Sequence, residues 1–333
     1  MHVRRFGPSV LAFTFLLLFG PLAPGQVHVI FDTDMGNDVD DALALAMLHA
    51  LTNSRECRLI GVTLTNANPL AVPFVRMVNA FYGRPDLPVG AARKLLPDGA
   101  RDRYLKATLD SAPASLKPNS GAAESGVVLL RRLLATSPRK VVIVQVGFST
   151  NLAALLDSPA DAISPLTGIE LAKKKVKLLS AMAGNFVEQK PEYNVRLDVE
   201  AARSLFARWP TPVIFSGYEI GRSLLYPATS IERDFSYVDW HPIATAYRAY
   251  NQMPYDRATY DLTSVLEAVR PRHGYFRRSA KGQVGVRDDT TTTFERGGGN
   301  RQYLILDDAK RQLVLDALTK LSSAPPMPTV TRR

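Results

Sequence analysis

The order of apolar and polar residues along the chain predicts strands that alternate with helices. An apolar, β-branched run at residues 27–31 is typical of a buried strand, and the apolar segment at residues 42–48 continues as a helix. Further strand-like runs cover residues 58–68, 140–148, 176–184 and 211–217. Helix-like segments cover residues 69–82, 125–136, 198–208, 241–251, 261–269 and 308–321. This alternation predicts an α/β fold with an open, mostly parallel sheet and helices on both faces.

Three segments fall outside this alternation. Residues 95–125 are polar and rich in Pro, Gly and Ser, which predicts a long loop, and residues 281–300 are predicted to form a hairpin or a mobile loop. The tail, residues 324–333, is predicted to be disordered. Because no internal repeat or domain boundary interrupts the pattern, residues 27–323 are predicted to form one domain.

Residues 1–26 have the layout of a secretory signal peptide. Arg4 and Arg5 precede an apolar run at residues 10–19, and small and turn-forming residues follow it. We expect cleavage between Ala23 and Gln26, a secreted or periplasmic mature protein, and no stable membrane insertion after cleavage. The alternative is an uncleaved anchor.

Charge and cysteine content narrow the classes of partner and metal site. The net charge is +10, from 41 Lys and Arg against 31 Asp and Glu, but the basic residues are scattered and no nucleic-acid-binding motif is present. We therefore expect no nucleic-acid partner. The single cysteine, Cys57, excludes both an intrachain disulfide and a cysteine-based metal site.

A cluster of carboxylates follows the first predicted strand. Five aspartates fall within ten residues: Asp32, Asp34, Asp38, Asp40 and Asp41. Like charges held this close repel each other unless a cation neutralises them, and oxygen ligands suit a hard divalent ion, Ca²⁺ or Mg²⁺. The spacing is not that of an EF-hand loop. An aspartate-rich turn without an ion is the alternative.

This stretch, D-T-D-M-G-N-D-V-D-D-A, resembles the signature D-x-D-P-G-x-D-D-A of the inosine–uridine-preferring nucleoside hydrolases. It differs in having Met35 in place of Pro and two extra residues before the last Asp pair, which leaves the role of Asp38 open. Four later stretches are similar to motifs of the same family in the same order: LTNAN, GFSTNLA, MAGNFVEQKPEYNVRLDVEAA and RATYDLTSVLEAV. The resemblance spans roughly residues 27–310 and implies that family's Rossmann-like fold.

The resemblance implies a role for each matching residue. It implies that Asp34, Asp41, Asp261 and the backbone carbonyl of Thr150 hold Ca²⁺, and that Asp34 is also the general base. It also implies that six residues bind the nucleoside by contacting its ribose: Asp40, Asn68, Met182, Asn185, Glu192 and Asn194. Asp32 is expected to support the loop without contacting the ion itself. Taken singly, Asn68, Thr150 and Asp261 would each be ordinary helix caps.

Protonation of the leaving base is the step for which the sequence departs from the family. The family's histidine before the distant aspartate is Tyr260 here, and its histidine after the third strand is absent from DGARDRYLKATLD, where Tyr104 is a candidate for the same space. His241 is the candidate acid because its near-neutral pKa suits acid catalysis; the alternative is a structural role at a helix start. The preferred nucleobase stays open.

The expected activity is hydrolysis of the N-glycosidic bond of ribonucleosides to free base and ribose by a Ca²⁺-bound water, as in purine and pyrimidine salvage. By resemblance, the protein is expected to be a homo-oligomer, a dimer or a tetramer. One alternative is a non-catalytic, calcium-dependent nucleoside- or ribose-binding protein. Another is a phosphatase of the haloacid dehalogenase type, because VIFDTD also fits a strand that ends in D-x-D.

Overall fold

The computed structural model describes residues 26–96, 102–118 and 121–327. The strands are β1 (Val27–Thr33), β2 (Cys57–Leu64), β3 (Val89–Ala91), β4 (Glu124–Ser125), β5 (Val141–Gln145), β6 (Val176–Met182), β7 (Val213–Ser216), β8 (Leu225–Tyr226), β9 (Arg257–Ala258), β10 (Arg277–Arg278), β11 (Gly282–Val286), β12 (Thr292–Arg296) and β13 (Arg301–Ile305). The helices are α1 (Asp40–Asn53), α2 (Ala71–Phe81), α3 (Leu105–Ser111), α4 (Gly126–Thr136), α5 (Thr150–Asp157), α6 (Gly168–Lys175), α7 (Tyr193–Leu197), α8 (Val199–Arg208), α9 (Tyr218–Arg222), α10 (Ala228–Arg233), α11 (Pro242–Tyr250), α12 (Tyr260–Val269) and α13 (Arg311–Ser322).

The central sheet is mostly parallel, and β1 lies in its interior. The strand order is β12-β11-β13-β7-β6-β5-β1-β2-β3-β4, with β10 paired to β13 and a separate β8-β9 ribbon. Every pair from β13 to β4 is parallel, whereas β10, β11 and β12 pair antiparallel. β1 pairs with β2 on one side and β5 on the other. This position explains its continuous apolar run, because an interior parallel strand is buried on both faces.

Two hydrophobic cores lie on opposite faces of the sheet. Val29 and Phe31 of β1 belong to the core with α1, α2, α11, α12 and α13, and Ile30 belongs to the core with α4, α5, α6 and α8. Because successive side chains of a strand point to opposite faces, this division means that helices cover both faces. The predicted α/β fold with an open, mostly parallel sheet is confirmed.

Two of the predicted irregular segments contain regular structure. The long loop predicted for residues 95–125 includes α3, so that prediction is wrong there; α3 is short and turns only Leu105 and Thr108 fully inward. Of the two predictions for residues 281–300, the hairpin is correct, since β11 and β12 pair antiparallel from Gly282–Arg296 to Val286–Thr292.

Both ends of the chain extend past the part that the structure describes. The predicted signal peptide covers residues 1–26, of which 1–25 lie outside the described residues, and so do residues 328–333 of the predicted tail. Among the helices described here, none has the length and apolar character needed to span a membrane.

Candidate functional site

The candidate site lies at the edge of the sheet where the parallel strands end. The backbone N–H of Thr65 donates to the Thr33 carbonyl at 2.9 Å, and that of Val146 donates to the Asp32 carbonyl at 2.7 Å. Gly147 makes this close approach of the strand ends possible: a Cβ atom there would lie 2.4 Å from the Asp34 backbone nitrogen and 2.5 Å from Thr65 Oγ1. Only glycine fits, so the loops after β1, β2 and β5 converge.

Hydrogen bonds that involve two hydroxyl groups, those of Tyr104 and Thr33, hold the aspartate-rich loop after β1. Gly36 has a φ of +119°, a backbone conformation that favours glycine. The Tyr104 hydroxyl accepts from the Gly36 N–H at 3.0 Å and donates to the Asp38 carbonyl at 3.0 Å. The Thr33 hydroxyl donates to Asp41. Tyr104 therefore braces the loop backbone from the core and does not line the pocket in front of it.

Three carboxylates meet at the start of two helices and form what we call the acidic cluster: Asp40, Asp41 and Asp261. One oxygen of each lies within 4.8 Å of the other two, and all three side chains are buried. The Asp261 backbone N–H donates to Asp40 Oδ2 at 3.0 Å although the residues are 221 positions apart. The cluster thus depends on the packing of α1 against α12.

Burial and mutual repulsion raise the pKa of these carboxylates. Burial, followed by the charges of neighbouring aspartates, holds the pKa of Asp40, Asp41 and Asp261 well above the usual range. Asp34 lies on the wall of the same pocket, and burial with the charges of Asp38 and Glu192 raises its pKa to about 8. Without a counter-ion, burial and repulsion therefore favour the protonated forms of these side chains more than in exposed carboxylates.

The donor set of the acidic cluster fits a hard divalent cation. All of its ligand atoms are carboxylate oxygens, the type that Ca²⁺ and Mg²⁺ prefer. For an ion with bonds of about 2.4 Å, two ligand oxygens lie at most about 4.8 Å apart, and the cluster satisfies that limit. A bound cation would also offset the mutual repulsion that, after burial, raises the pKa values of these carboxylates.

In front of the cluster lies a pocket of about 290 Å³. Its acidic side is formed by Asp34, Asp38, Asp40, Asp41, Asp261 and Glu192, and the remainder by Asn37, Arg103, Val146, Met182, Tyr193, Asn194, Tyr218, Tyr250, Arg257 and Tyr260. The Tyr218 and Tyr260 rings stack at 5.4 Å with 23° between their planes. Carboxylates beside flat aromatic rings suit a ligand that has a polyhydroxylated part and a planar part.

Three residues predicted to bind the substrate come together on one wall. The Glu192 carboxylate caps α7, accepting from the Asn194 N–H at 2.9 Å, and burial raises its pKa to about 7. The Asn194 side-chain amide donates to the Val146 carbonyl at 2.7 Å and to the Met182 carbonyl at 3.1 Å. These contacts hold both polar side chains in place at the pocket, next to Met182.

Four other predicted residues do not line the pocket. Asn68 Oδ1 caps α2 by accepting from the Leu70 N–H at 3.0 Å, and Asn185 Oδ1 accepts from the Glu188 N–H at 2.9 Å. Thr150 is the first residue of α5, and its hydroxyl donates to Asp198 at 2.6 Å. Asp32 lies behind the loop, where it accepts from Thr63 at 2.6 Å and Asn151 at 2.8 Å.

The expectation that His241 acts at this site is wrong, because the structure buries it elsewhere. It is the N-cap residue of α11, its Nδ1 accepts from the Ile243 N–H at 3.1 Å, and its Nε2 lies 2.8 Å from the Tyr237 hydroxyl. The rings of Phe81 and Phe235 pack around it at 4.6 and 4.8 Å. Burial lowers the His241 pKa to about 3, which favours a neutral, structural side chain.

Two arginines of the pocket were missed by the sequence analysis. Arg257 forms an ion pair with Asp38, with Nε 2.8 Å from Oδ1, and both its guanidinium and that of Arg103 lie over the Tyr250 ring at 5.2 and 4.2 Å. The sequence contained a signal for Arg257, because this residue is the first of the motif RATYDLTSVLEAV and the role of Asp38 had been left open. Nothing local marked Arg103 or Tyr250, because their positions depend on the fold.

Larger grooves elsewhere lack comparable chemistry. One of about 730 Å³ lies along β11 and β12, and one of about 560 Å³ lies between Arg58 and Arg84 at the start of β2. Neither contains a group of carboxylates that could hold an ion among the residues with described structure. The acidic pocket is therefore the candidate site.

An open, mostly parallel α/β sheet with oxygen-rich side chains at its carboxyl edge that could hold a cation is the arrangement expected of a metal-dependent α/β enzyme. Within that class, residues 29–316 match the family model described as inosine-uridine preferring nucleoside hydrolase, and the chain belongs to this family. The resemblance seen in the sequence is thereby confirmed, and the phosphatase alternative is set aside.

Individual relatives agree with the family assignment. The chain is 32% identical over 217 residues to the pyrimidine-specific ribonucleoside hydrolase RihA of Salmonella paratyphi B, a match that covers 62% of this chain and 64% of that relative. The match thus spans less than two thirds of the length of this curated relative.

Two solved structures share the fold. A plant nucleoside hydrolase, the PpNRh1 enzyme, superposes with a TM-score of 0.69 at 22% identity, covering 91% of this chain and 100% of that one. The inosine-uridine preferring nucleoside hydrolase from Bacillus anthracis gives 0.68 at 17% identity, covering 90% of this chain and 99% of that one.

Proposed function

We propose that the protein hydrolyses the N-glycosidic bond of ribonucleosides to free base and ribose, with Ca²⁺ as its metal ion. The observation that carries this proposal is the buried acidic cluster next to Asp34, in a pocket that also has a flat aromatic wall. Membership of the family and the similarity to the pyrimidine-specific ribonucleoside hydrolase of Salmonella support the same reaction.

Cleavage of an N-glycosidic bond develops positive charge on the sugar, which passes through an oxocarbenium-like state. The carboxylates around the sugar position stabilise that charge more strongly in the transition state than in the substrate. Asp34 accepts the proton of the attacking water as general base. Asp40, Glu192 and Asn194 bind and orient the sugar hydroxyls, with Met182 packed against the ring. Asn68 and Asn185, which the resemblance also assigns to the substrate, lie outside the lining of the pocket.

Asp34, Asp41, Asp261 and the Thr150 carbonyl are the proposed metal ligands. A cation held there would supply Lewis acidity for activating the attacking water and for binding the sugar hydroxyls. The residues around these ligands keep them aligned: Thr33 donates to Asp41, and Asp198 accepts from the Thr150 hydroxyl at 2.6 Å, while Lys94 lies 3.2 Å from Asp198.

The test is release of base and ribose from uridine, cytidine, inosine, guanosine and adenosine by the purified protein, with and without EDTA. We expect chelator-sensitive release from at least one nucleoside. Release that EDTA leaves unchanged would contradict the role of the metal. Failure to cleave any of the five would contradict the hydrolase proposal.

A specific observation favours a second candidate, a calcium-dependent nucleoside- or ribose-binding protein. No histidine lines the pocket within the described part of the chain, so the usual acid for protonating a leaving base is missing. The same panel distinguishes the two candidates. A binding protein would be stabilised against heat by ribose or nucleoside in the presence of calcium, without releasing base.

We further propose that the mature protein is secreted or periplasmic and assembles as a dimer or tetramer. The first proposal rests on the layout of residues 1–26 and the second on the family resemblance. The intact mass of protein exported by a bacterial host should place the first residue between Ala23 and Gln26. Light scattering should give a mass at least twice that of one chain. A retained leader or a monomer would contradict the respective proposal.

A further inference from the structure

We propose that Arg103 stabilises the departing nucleobase, and that it selects bases with a ring carbonyl group. This inference rests on the proposed hydrolase function. It assigns to Arg103 the role of assisting the leaving base, which the family's motif gives to histidines that are absent here. The pocket contains two guanidinium groups, those of Arg103 and Arg257, and they differ in what they contact.

Arg257 is committed to a carboxylate, whereas Arg103 is not. Arg257 binds Asp38 through Nε and Nη2, so its charge is matched at close range. Arg103 Nη1 donates to the Tyr250 hydroxyl at 2.8 Å, and its guanidinium lies 4.2 Å from the centre of that ring. Among the described residues, no carboxylate forms an ion pair with Arg103. Its side chain is exposed at the pocket, so a ligand can reach the remaining donors.

The sheet order places Arg103 on the opposite side of β1 from two of the proposed sugar-binding residues, Glu192 and Asn194. Glu192 and Asn194 follow β6, on one side of β1 in the sheet order, and Arg103 follows β3, on the other side. The Arg103 backbone N–H donates to the Gly36 carbonyl at 3.4 Å, which keeps the residue beside the aspartate loop. A nucleoside with its ribose against Glu192 and Asn194 can therefore direct its base towards Tyr250 and Arg103, which line the same pocket.

A guanidinium can assist the departure of a base without giving up a proton. When the C1′–N bond breaks, its electron pair passes to the base nitrogen and spreads onto a conjugated carbonyl oxygen. Arginine only donates hydrogen bonds and stays charged, so it stabilises that oxygen as the negative charge develops. The base leaves as an anion and takes a proton from solvent, while the attacking water has given its proton to Asp34. Uracil, cytosine, hypoxanthine and guanine have the required carbonyl, and adenine does not.

The test compares Arg103→Ala with wild type on two substrates that differ in their need for leaving-group stabilisation. One is the best nucleoside of the panel, and the other is 4-nitrophenyl β-D-ribofuranoside, whose leaving group is stable as an anion. We expect kcat/KM for the nucleoside to fall at least about 100-fold and that for the nitrophenyl riboside to stay within about threefold. Lys106→Ala is the matched control, because Lys106 is exposed on α3 and paired only with the exposed Asp110, 2.6 Å away.

The remaining outcomes decide between the inference and the proposed function. If wild type cleaves neither substrate, the proposed function fails. If wild type cleaves both, then equal losses on the two substrates, or no loss in Arg103→Ala, overturn the inference. Wild-type cleavage of adenosine as fast as inosine would overturn the selectivity. Arg103→Met, which keeps the aliphatic chain, serves if the alanine variant does not fold.

Discussion

At the scale of single residues, the site depends on carboxylates that are both buried and close to one another. Each of the aspartates in the acidic cluster is buried, and burial is the main cause that raises its pKa. A side chain in this situation serves the proposed reaction only when a cation keeps it ionised. Removing one aspartate should therefore affect turnover or metal affinity more than folding.

Asp34→Asn should abolish turnover while the protein stays folded. The variant loses the proposed general base, whose removal lowers kcat by at least about 100-fold. Its melting temperature in EDTA should equal or exceed that of wild type, because a buried carboxylate with a pKa raised to about 8 is replaced by a neutral group. Base release and thermal melting measure the two effects. Turnover within tenfold of wild type would contradict the assignment of Asp34 as the general base.

Asp261→Ala should weaken calcium binding measured by isothermal titration. Asp261 supplies one of the three carboxylate oxygens of the acidic cluster, so its loss should raise the calcium Kd at least about tenfold. Asp316→Asn, on the exposed face of α13, is the matched control and should bind calcium as wild type does. An unchanged calcium affinity in Asp261→Ala would mean that Asp261 is not a metal ligand and acts only as an acidic residue in the first turn of α12.

At the scale of elements, the site exists because strand ends and helix starts are brought unusually close. β1 ends in the loop that carries Asp34, and α1 begins with Asp40 and Asp41. The absence of a side chain at Gly147 lets the loop after β5 lie against that loop. The geometry of the acidic pocket therefore depends on backbone packing as well as on the ligands.

Gly147→Ala should disrupt the site by displacing the backbone of the aspartate loop. A Cβ atom at this position would lie 2.4 Å from the Asp34 backbone nitrogen and 2.8 Å from the Thr33 backbone carbon, neither of which can rotate away. We expect a destabilisation of about 1–3 kcal/mol together with weaker calcium binding. Gly121→Ala is the control, since its Cβ would meet no atom closer than 3.9 Å. Equal melting temperatures for the two variants would contradict this packing.

The apolar pattern predicted most of the elements because burial repeats with the period of each element. The helix predicted at residues 125–136 is α4 (Gly126–Thr136), and the strand predicted at 176–184 is β6 (Val176–Met182). The short helix α3 was missed because seven residues with two buried side chains give no clear period. The pattern is thus informative about long elements and uninformative about short ones.

At the scale of the whole molecule, the site combines residues that are far apart in sequence. Family motifs indicated Asp34, Asp41 and Asp261 because each lies in a recognisable segment. The Asp38–Arg257 pair spans 219 positions, and only the fold shows that Arg257 is the partner of the extra aspartate. The same reason accounts for His241: its residue type suited acid catalysis, but its distance from the pocket is a property of the fold.

The buried carboxylates predict an unusual dependence of stability on pH in the metal-free protein. Burial raises the pKa of Asp32 and Glu192 to about 7 and that of Asp34 to about 8, so the folded state holds protons that the unfolded state has released. The free energy of unfolding in EDTA should therefore fall as pH rises from about 6.5 to about 8.

Two buried histidines titrate mainly below this window. Burial lowers the pKa of His49 and His241 to about 3, so their unfolded forms, half protonated near pH 6.5, bind protons that the folded forms do not and oppose the trend at its lower end. Urea unfolding at several pH values measures the slope, and added calcium should stabilise the protein most at the upper end. A flat or rising stability over this window in EDTA would contradict the raised pKa values.

The most direct test of the account is to restore calcium to chelator-treated protein while base release and calcium binding are measured on the same sample. We predict that the chelated protein is inactive, that one ion per chain restores turnover, and that half-maximal activity falls at the calcium Kd. Full activity in the chelated protein, or activity that does not follow calcium occupancy, would contradict a metal-dependent hydrolase site at Asp34, Asp40, Asp41 and Asp261.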